Sequence, residues 1–363
     1  MRVLFDCGGT AGHSYPALAM ADMLKRRLRD VEIAFVGTKN GMENQIIGQY
    51  GYPLYQIEMT GLKRKISKDN LKTAYHLLRA FGKMKTLLKE IQPHIVIGTG
   101  GYVCYPVVRM AAKMKIPSAI HESNAMPGLA TKWLAPHVDR VWLGVGQTKT
   151  YLSKKAQTVE VGNPLRLGFH ATSKQASRKK YGILKDEFWV VSFGGSLGAK
   201  LLNETMYEIM RNEEDKSIRY FHMSGKHQTG DFDEKHLPQR HQWLRYTEDM
   251  PTLMQGADLI ISRAGAMTLS EISALKKASI LIPSPHVTSN HQYYNAKIYA
   301  DQNAAILLCE EELTPAHLKE IIHRLKTHPE ERETLENTMK KMGEKNTLQM
   351  IFDDILLLTK IER

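Results

Sequence analysis

Four times along this chain a short apolar run breaks into small residues that open onto a helical pattern. Val3-Leu4-Phe5 runs into Cys7-Gly8-Gly9-Thr10-Ala11-Gly12-His13, and Ile95-Val96-Ile97 into Gly98-Thr99-Gly100-Gly101-Tyr102. Phe188–Phe193 runs into Gly194-Gly195-Ser196-Leu197-Gly198-Ala199, and Leu259-Ile260-Ile261 into Ser262-Arg263-Ala264-Gly265-Ala266. Runs this apolar read as strands buried on both faces, the mark of a parallel sheet covered by crossover helices. The chain is therefore of the α/β class. The last of the four is the most informative. Leu269, Ile272 and Leu275 recur every third residue, as a helix with one buried face requires. A strand, a small-residue turn and a helix N-terminus together form an anion site, because unpaired N–H groups and the helix dipole point at it. Glu271 has two readings here: an acceptor for a ribose diol, or the last member of a Thr268-x-x-Glu271 capping box.

Further strands are expected at Ile33–Val36, Ser118–His121, Val138–Trp142, Arg219–Met223, Ile280–Ile282 and Ala305–Leu308, with two or three amphipathic helices after Thr314. Pro16 is expected in the first turn of a helix, where its missing N–H costs nothing. At 363 residues the chain has length for two domains. Gly162-Asn163-Pro164 is a turn sequence and marks the expected hinge. The boundaries are then 1–163 and 164–343, with a final helix over 344–363. The three cysteines are far apart and form no CxxC, which argues against a disulfide framework or a zinc site. No apolar run approaches the ~18 residues of a membrane span.

Charge is unevenly placed. Residues 1–165 carry 23 Lys and Arg against 11 Asp and Glu, whereas residues 166–363 carry 27 of each sign. A basic half implies an anionic partner. Its most basic part, residues 60–90, holds nine cations, including Lys63, Arg64 and Lys65, against two acids. Leu71, Ala74, Leu78, Phe81, Leu88 and Ile91 are expected to form its core stripe, leaving Tyr75, Leu77, Met84 and Leu87 on other faces. Surplus apolar residues on a cationic helix read as an anionic membrane surface element, with a solvated helix as the alternative. Aromatics are sparse among these charges and no nucleic-acid-binding motif is present, so no nucleic acid partner is expected.

Glycine turns that open helices suit a nucleotide diphosphate. The Walker lysine is missing, since Lys200-Leu201 follows the third turn, and none of the turns has dinucleotide spacing. Asp231-Phe232-Asp233 lies in a polar stretch with no strand before it and reads as surface. His13 stands at a helix start, where the dipole favours the neutral ring that a general base needs. Cys7 and Cys104 read as small buried residues.

In order along the chain, GGTAGHSYPALA, IGTGGYVCYP, IHESNAMPG, VGNPLR, FGGSLGAK, SRAGAMTLSEISAL and IPSPHVTSNHQYYNA resemble the MurG family over roughly residues 1–345. The ordered set is specific, although each turn alone is a weak signal. The resemblance implies a GT-B fold, two Rossmann-like domains with parallel sheets facing across a cleft. The N-terminal domain would take the acceptor and the membrane, and the C-terminal domain the donor. It implies an inverting transfer of GlcNAc from UDP-GlcNAc to the 4-hydroxyl of undecaprenyl-diphosphate-linked muramoyl-pentapeptide, with no metal and no cofactor. The enzyme would sit peripherally on the cytoplasmic face of the cell membrane, with a cell-wall synthesis complex as a further partner, and its final helix, 344–363, would return to the N-terminal domain. Matched onto this sequence, His13 is the candidate base. Thr10, Ala11 and Gly12 contact the donor sugar. Asn124 and Gln292 bond its hydroxyls, and Arg166 and Ser196 contact the diphosphate. Thr247 meets uracil through its backbone. Ala266, Met267, Thr268, Leu269, Ser270 and Glu271 cradle diphosphate and ribose. Cys7, Ala11, Tyr105, Ser123 and Leu197 depart from the family pattern. Two alternatives stay open: a diacylglycerol-type glycolipid glycosyltransferase, and a poorly active UDP-sugar-binding paralogue.

Overall fold

The computed structural model describes residues 1–8, 11–39, 41–59, 68–166, 169, 172–226, 232–343 and 346–361, with residues 11 and 68–74 described by their backbone alone. In chain order the first half forms β1 (Arg2–Asp6), α1 (Ala11–Arg27), β2 (Glu32–Thr38), α2 (Glu43–Gly48), β3 (Leu54–Ile57) and α3 (Lys68–Ile91). There follow β4 (Ile95–Gly98), α4 (Cys104–Lys113), β5 (Ser118–Glu122), α5 (Leu129–Leu134), β6 (Arg140–Leu143) and β7 (Thr158–Glu160). The second half begins with α6 (Lys174–Lys180), β8 (Phe188–Phe193), α7 (Lys200–Arg211), β9 (Ile218–Met223), β10 (Gln242–Leu244) and α8 (Met250–Gly256). It continues through β11 (Leu259–Ser262), α9 (Ala266–Leu275), β12 (Ser279–Leu281), α10 (His291–Ala300) and β13 (Ile306–Leu307). Three helices end the chain: α11 (Pro315–Thr327), α12 (Pro329–Gly343) and α13 (Thr347–Thr359).

The chain divides into two compact units, Met1–Leu167 with Lys345–Arg363, and Gly168–Glu344. Each is built on its own parallel sheet. The first has strand order β3-β2-β1-β4-β5-β6-β7, the second β10-β9-β8-β11-β12-β13. The central strands β4, β5, β8 and β11 are buried at every position, as strands covered by helices on both faces must be. The edge strands β3, β7 and β13 are only partly buried.

The helix α13 belongs to the first unit. Ile351, Phe352, Ile355 and Leu356 are buried in the same core cluster as Leu18, Met20 and Leu24 of α1. The Asp354 carboxylate accepts from Arg140 Nε at 2.8 Å and from Trp142 Nε1 at 2.6 Å. A helix of this kind is anchored by its apolar face and given its register by one part-buried ion pair.

Three sequence expectations are corrected. Pro16 does not open α1; it is the sixth residue of a helix that starts at Ala11. Its ring is buried there, and the break in hydrogen bonding falls on the carbonyl of Gly12, still in the first turn. The core stripe of α3 is shifted. Leu88 is buried as expected, and Phe81 and Ile91 pack against the core, but Ala80, Met84 and Leu87 are buried as well, whereas Leu78 is 72% exposed. Apolar residues occur around most of that helix, so periodicity alone does not select its phase. Leu71 and Ala74 fall among the residues whose side chains are not described. Finally, β3, β7 and β10 are not among the expected strands; all three are short, lie at sheet edges and mix polar with apolar residues.

In the second unit, Glu213 is buried between α7 and β9. It accepts from Tyr220 Oη at 2.8 Å, from the Asp215 N–H at 3.0 Å and, across to α11, meets His323 Nε2 at 3.1 Å. Burial works to raise this carboxyl, but the bonds from Asp215, Tyr220 and His323 outweigh it and hold it below the usual carboxylate range. A carboxyl depressed in the folded state stabilises at pH above its unfolded value of about 4.3 and loses that contribution as pH falls through the folded value. Tyr220→Phe is therefore expected to cost about 1–2 kcal/mol at neutral pH and to move acid unfolding to a higher pH. Circular dichroism across an acid titration measures it; an unmoved acid midpoint contradicts this reading of Glu213.

Candidate active site

In an open parallel sheet, ligands bind beyond the carboxyl ends of the strands, where successive connections turn to opposite sides. In the first unit that point lies between β1 and β4, which pair with Asp6 opposite Gly98. The two turns that follow these strands are therefore neighbours. His13, in the first turn of α1, places Nδ1 3.0 Å from the Thr99 carbonyl oxygen. A carbonyl only accepts, so Nδ1 carries the proton, and in the neutral ring the lone pair resides on Nε2. The ring lies directly on the second glycine turn. A Cβ at Gly100 would come within 2.7 Å of His13 Nδ1, and Gly100 has φ +109°.

Beyond β5, Glu122 organises the next turn. Its Oε1 accepts from the Asn124 N–H at 3.0 Å and Asn124 Nδ2 at 3.1 Å, while Oε2 accepts from the Gly128 N–H at 2.9 Å and Thr131 Oγ1 at 2.7 Å. The bond to Nδ2 orients the Asn124 amide with its oxygen turned away from the carboxylate. His121 beside it is buried, with Nε2 donating to the Gly162 carbonyl at 3.0 Å and Nδ1 accepting from Ser123 Oγ at 3.3 Å. Burial pushes the His121 imidazole down, which keeps it neutral. Ser123, a departure from the family pattern, thus completes the bonding of a buried ring. The Arg166 guanidinium sits 4.3 Å from the ring centre of Tyr15, two residues beyond His13. A cation on an aromatic face is held without being neutralised. Gly12 lies exposed in the first turn of α1. Thr10 lies outside the described residues, as does the side chain of Ala11. The Ala11 backbone is helical, so alanine carries no left-handed strain at that position.

In the second unit the same point falls between β8 and β11, paired with Phe193 opposite Ser262. Helix α7 begins after Ala199 and α9 after Gly265, and neither N-cap residue makes a side-chain cap. Two helix starts on neighbouring strands therefore direct uncapped main-chain N–H groups beyond the strand ends. In the first of these turns Ser196 is exposed, and the Gly198 N–H donates to the Gly195 carbonyl at 3.1 Å. Gly198 has φ +90°, and a Cβ there would meet the Ser224 carbonyl oxygen at 2.3 Å. Lys226 donates its N–H to the Ser196 carbonyl, and its ammonium sits 4.1 Å from the ring centre of the exposed Tyr246. Thr247, next to Tyr246, accepts from the Asp249 N–H at 3.0 Å.

The capping-box reading of Thr268-x-x-Glu271 is ruled out. The N-cap is Gly265, so Thr268 lies inside the helix and Glu271 is its sixth residue. Leu269 is buried in the core and presents no side chain to a ligand, and Ser270 Oγ bonds back to the Ala266 carbonyl at 3.0 Å. Ala266, Met267, Thr268 and Glu271 are partly accessible. Gln292 joins this group from α10. Its Oε1 accepts from the Ser284 N–H at 2.9 Å, so its amide nitrogen faces the other way, and Asn295 Nδ2 ties α10 to the Ala264 carbonyl at 3.2 Å. The structure thus gathers Gly12, His13, Asn124 and Arg166 at the strand ends of one unit. It gathers Ser196, Thr247, Gln292 and the start of α9 at those of the other. Asp231 lies outside the described residues; Phe232 packs on Tyr207 and Trp243, and Asp233 caps a short turn over 234–236.

Sequence reasoning missed Thr99, Glu122, Tyr15 and Lys226. Thr99 and Tyr15 act through contacts with residues far along the chain, which no local pattern announces. Glu122 stood inside the quoted IHESNAMPG, and its carboxylate one residue before a small-polar turn was the available signal. A second surface was seen only in part. Helices α3 and α5 and the turn before α4 together expose Tyr75, Leu78, Tyr102, Leu129 and Trp133, with Phe81, Tyr105 and Trp133 packed edge to face at 6.0 and 5.5 Å. Arg79, Lys85 and Lys132 are exposed on the same helices. Lys63, Arg64 and Lys65 lie outside the described residues.

Residues 3–143 match the glycosyltransferase family 28 N-terminal domain and residues 189–352 the glycosyltransferase family 28 C-terminal domain. The chain is 38% identical to the UDP-N-acetylglucosamine--N-acetylmuramyl-(pentapeptide) pyrophosphoryl-undecaprenol N-acetylglucosamine transferase of Acetivibrio thermocellus, covering 98% of this chain and 97% of that one. It is 39% identical to the protein of the same name from Carboxydothermus hydrogenoformans, over 97% and 96% of the two chains. Among solved structures, that of Acinetobacter baumannii MurG is similar with a TM-score of 0.75 and 28% identity, over 98% of this chain and 99% of that one.

Gly100→Ala is expected to displace the His13 ring and to lower stability by about 1–2 kcal/mol, through left-handed strain and the close approach. Thermal unfolding, with the His13 ring followed by NMR, measures it; an unmoved ring contradicts the packing of His13 on this turn.

Proposed function

The chain belongs to glycosyltransferase family 28, and from that premise we propose how its own residues carry out the family's reaction. It is an N-acetylglucosaminyltransferase of GT-B fold that moves GlcNAc from UDP-GlcNAc to muramoyl-pentapeptide carried on undecaprenyl diphosphate. The observation that carries the residue-level reading is the His13 ring, held so that its lone pair is on Nε2 at the β1/β4 strand ends.

His13 Nε2 takes the proton from the acceptor 4-hydroxyl while that oxygen attacks C1 of GlcNAc. The new bond forms between the hydroxyl oxygen and C1 as the bond from C1 to the β-phosphate oxygen breaks. The electron pair leaves with UDP, and the anomeric centre inverts. Uncapped N–H groups at the starts of α7 and α9 receive the charge that develops on the diphosphate. Glu271 accepts from the ribose hydroxyls, Thr247 offers its main chain to uracil, and Gln292 bonds the sugar. The first unit takes the acceptor and the second the donor. Three of the family departures are accommodated: Ala11 is helical, Ser123 bonds His121, and Tyr105 packs among aromatics. This favours an active enzyme over a poorly active paralogue.

No helix among the described residues is long and apolar enough to cross a membrane. The exposed apolar residues of α3, α5 and the turn before α4, with Arg79, Lys85 and Lys132 beside them, support a peripheral seat on an anionic bilayer at the cytoplasmic side.

His13→Ala is expected to reduce kcat at least a hundredfold with UDP affinity unchanged. Transfer of labelled GlcNAc to the muramoyl-pentapeptide lipid, with diacylglycerol as a competing acceptor, measures it. Undiminished turnover contradicts the base assignment, and preference for diacylglycerol contradicts the acceptor. Glu271→Ala is expected to weaken UDP about tenfold by calorimetry; equal affinity removes Glu271 from the ribose. Leu78→Glu with Trp133→Glu is expected to reduce co-sedimentation with phosphatidylglycerol vesicles severalfold, and unchanged partitioning refutes the membrane face.

A further inference from the structure

We propose that Thr99 is the positioning residue of the proton-transfer step, fixing both the tautomer and the place of His13. The proposal rests on the assignment of His13 as base and adds the group that prepares it. Thr99 and His13 are joined reciprocally. The His13 ring donates from Nδ1 to the Thr99 main-chain oxygen at 3.0 Å, and the Thr99 hydroxyl lies 2.8 Å from the His13 main-chain oxygen. The same hydroxyl is 2.8 Å from the Asp6 carbonyl, and the Thr99 N–H donates to that carbonyl at 3.3 Å. Three segments, the end of β1, the start of α1 and the turn after β4, therefore close on one side chain. Thr99 is 1% exposed, so water does not compete for its hydroxyl.

The chemistry follows from the acceptor. A carboxylate behind a histidine both orients the ring and stabilises its charged form; a main-chain carbonyl orients it with a weaker pull. The ring is then held in the tautomer that accepts at Nε2. The Thr99 hydroxyl, whose one proton is shared between the His13 and Asp6 carbonyls, holds the start of α1 at the turn after β4, and so fixes the His13 backbone relative to the carbonyl that its ring meets. Positional precision of this kind enters kcat more than donor binding.

The test compares Thr99→Val, which keeps shape and loses the hydroxyl, with Thr99→Ser, which restores it. Expected for Thr99→Val is a fall in kcat of about tenfold, an unchanged KM for UDP-GlcNAc, and 15N resonances of the His13 ring that move from the Nδ1–H tautomer towards a mixture. Thr99→Ser is expected to recover both rate and resonances. A full rate in Thr99→Val while His13→Ala abolishes transfer overturns the proposal and leaves the base assignment standing. Transfer that survives His13→Ala overturns the base assignment itself. Lost rate with an unaltered tautomer also overturns the proposal, because Thr99 would then serve only the turn. Should Thr99→Val not fold, the wild-type spectrum alone decides: a proton on Nε2 in the neutral ring is incompatible with it.

Discussion

Everything in this molecule depends on the main-chain N–H groups that a parallel sheet leaves uncapped where its connections part to opposite sides. Each unit has one such place, at β1/β4 and at β8/β11. A helix starting there carries three or four donors with no intrahelical partner, and a side chain at the N-cap ordinarily takes one of them. Here α9 starts from Gly265 and α7 from Ala199, neither of which makes such a cap. The donors of the second unit can thus receive an anion, and a diphosphate is the anion that two adjacent helix starts suit.

The first unit offers the same architecture to the proposed proton transfer. Its first helix carries a histidine in the opening turn, and the neighbouring glycine turn supplies the carbonyl that orients it. Glycine at position 100 is what allows the ring to approach the backbone. Nearby charges are spent on geometry: Glu122 orients Asn124, and Tyr15 carries Arg166. The other large commitment of this unit is outward, an apolar and basic surface on α3, α5 and the turn before α4, underlain by Phe81 and Tyr105.

Much of the fold was legible because the central strands are buried on both faces and read as unbroken apolar runs. Phe188–Phe193 and Leu259–Ile261 needed no other signal. Strands β3 and β10 were illegible because an edge strand buries little and carries polar residues. The face of α3 was misjudged for the opposite reason: too many apolar residues satisfied more than one phase, and packing against α4 selected Met84 and Leu87 for the core over Leu78. In the site, the glycine turns and His13 stood out through local chemistry. Thr99 did not, since its importance comes from Asp6 and His13, 93 and 86 residues away in sequence. Glu271 had two readings from sequence, and the start of α9 at Gly265 removed one of them.

The central claim is that uncapped main-chain donors hold the nucleotide diphosphate. Amide 1H–15N spectra recorded as UDP is added to the full chain test it directly. The account requires the N–H resonances of Ser196–Lys200 and Ala266–Thr268 to shift together, saturating at the UDP concentration that calorimetry reports. UDP bound to saturation with those resonances unmoved would contradict it.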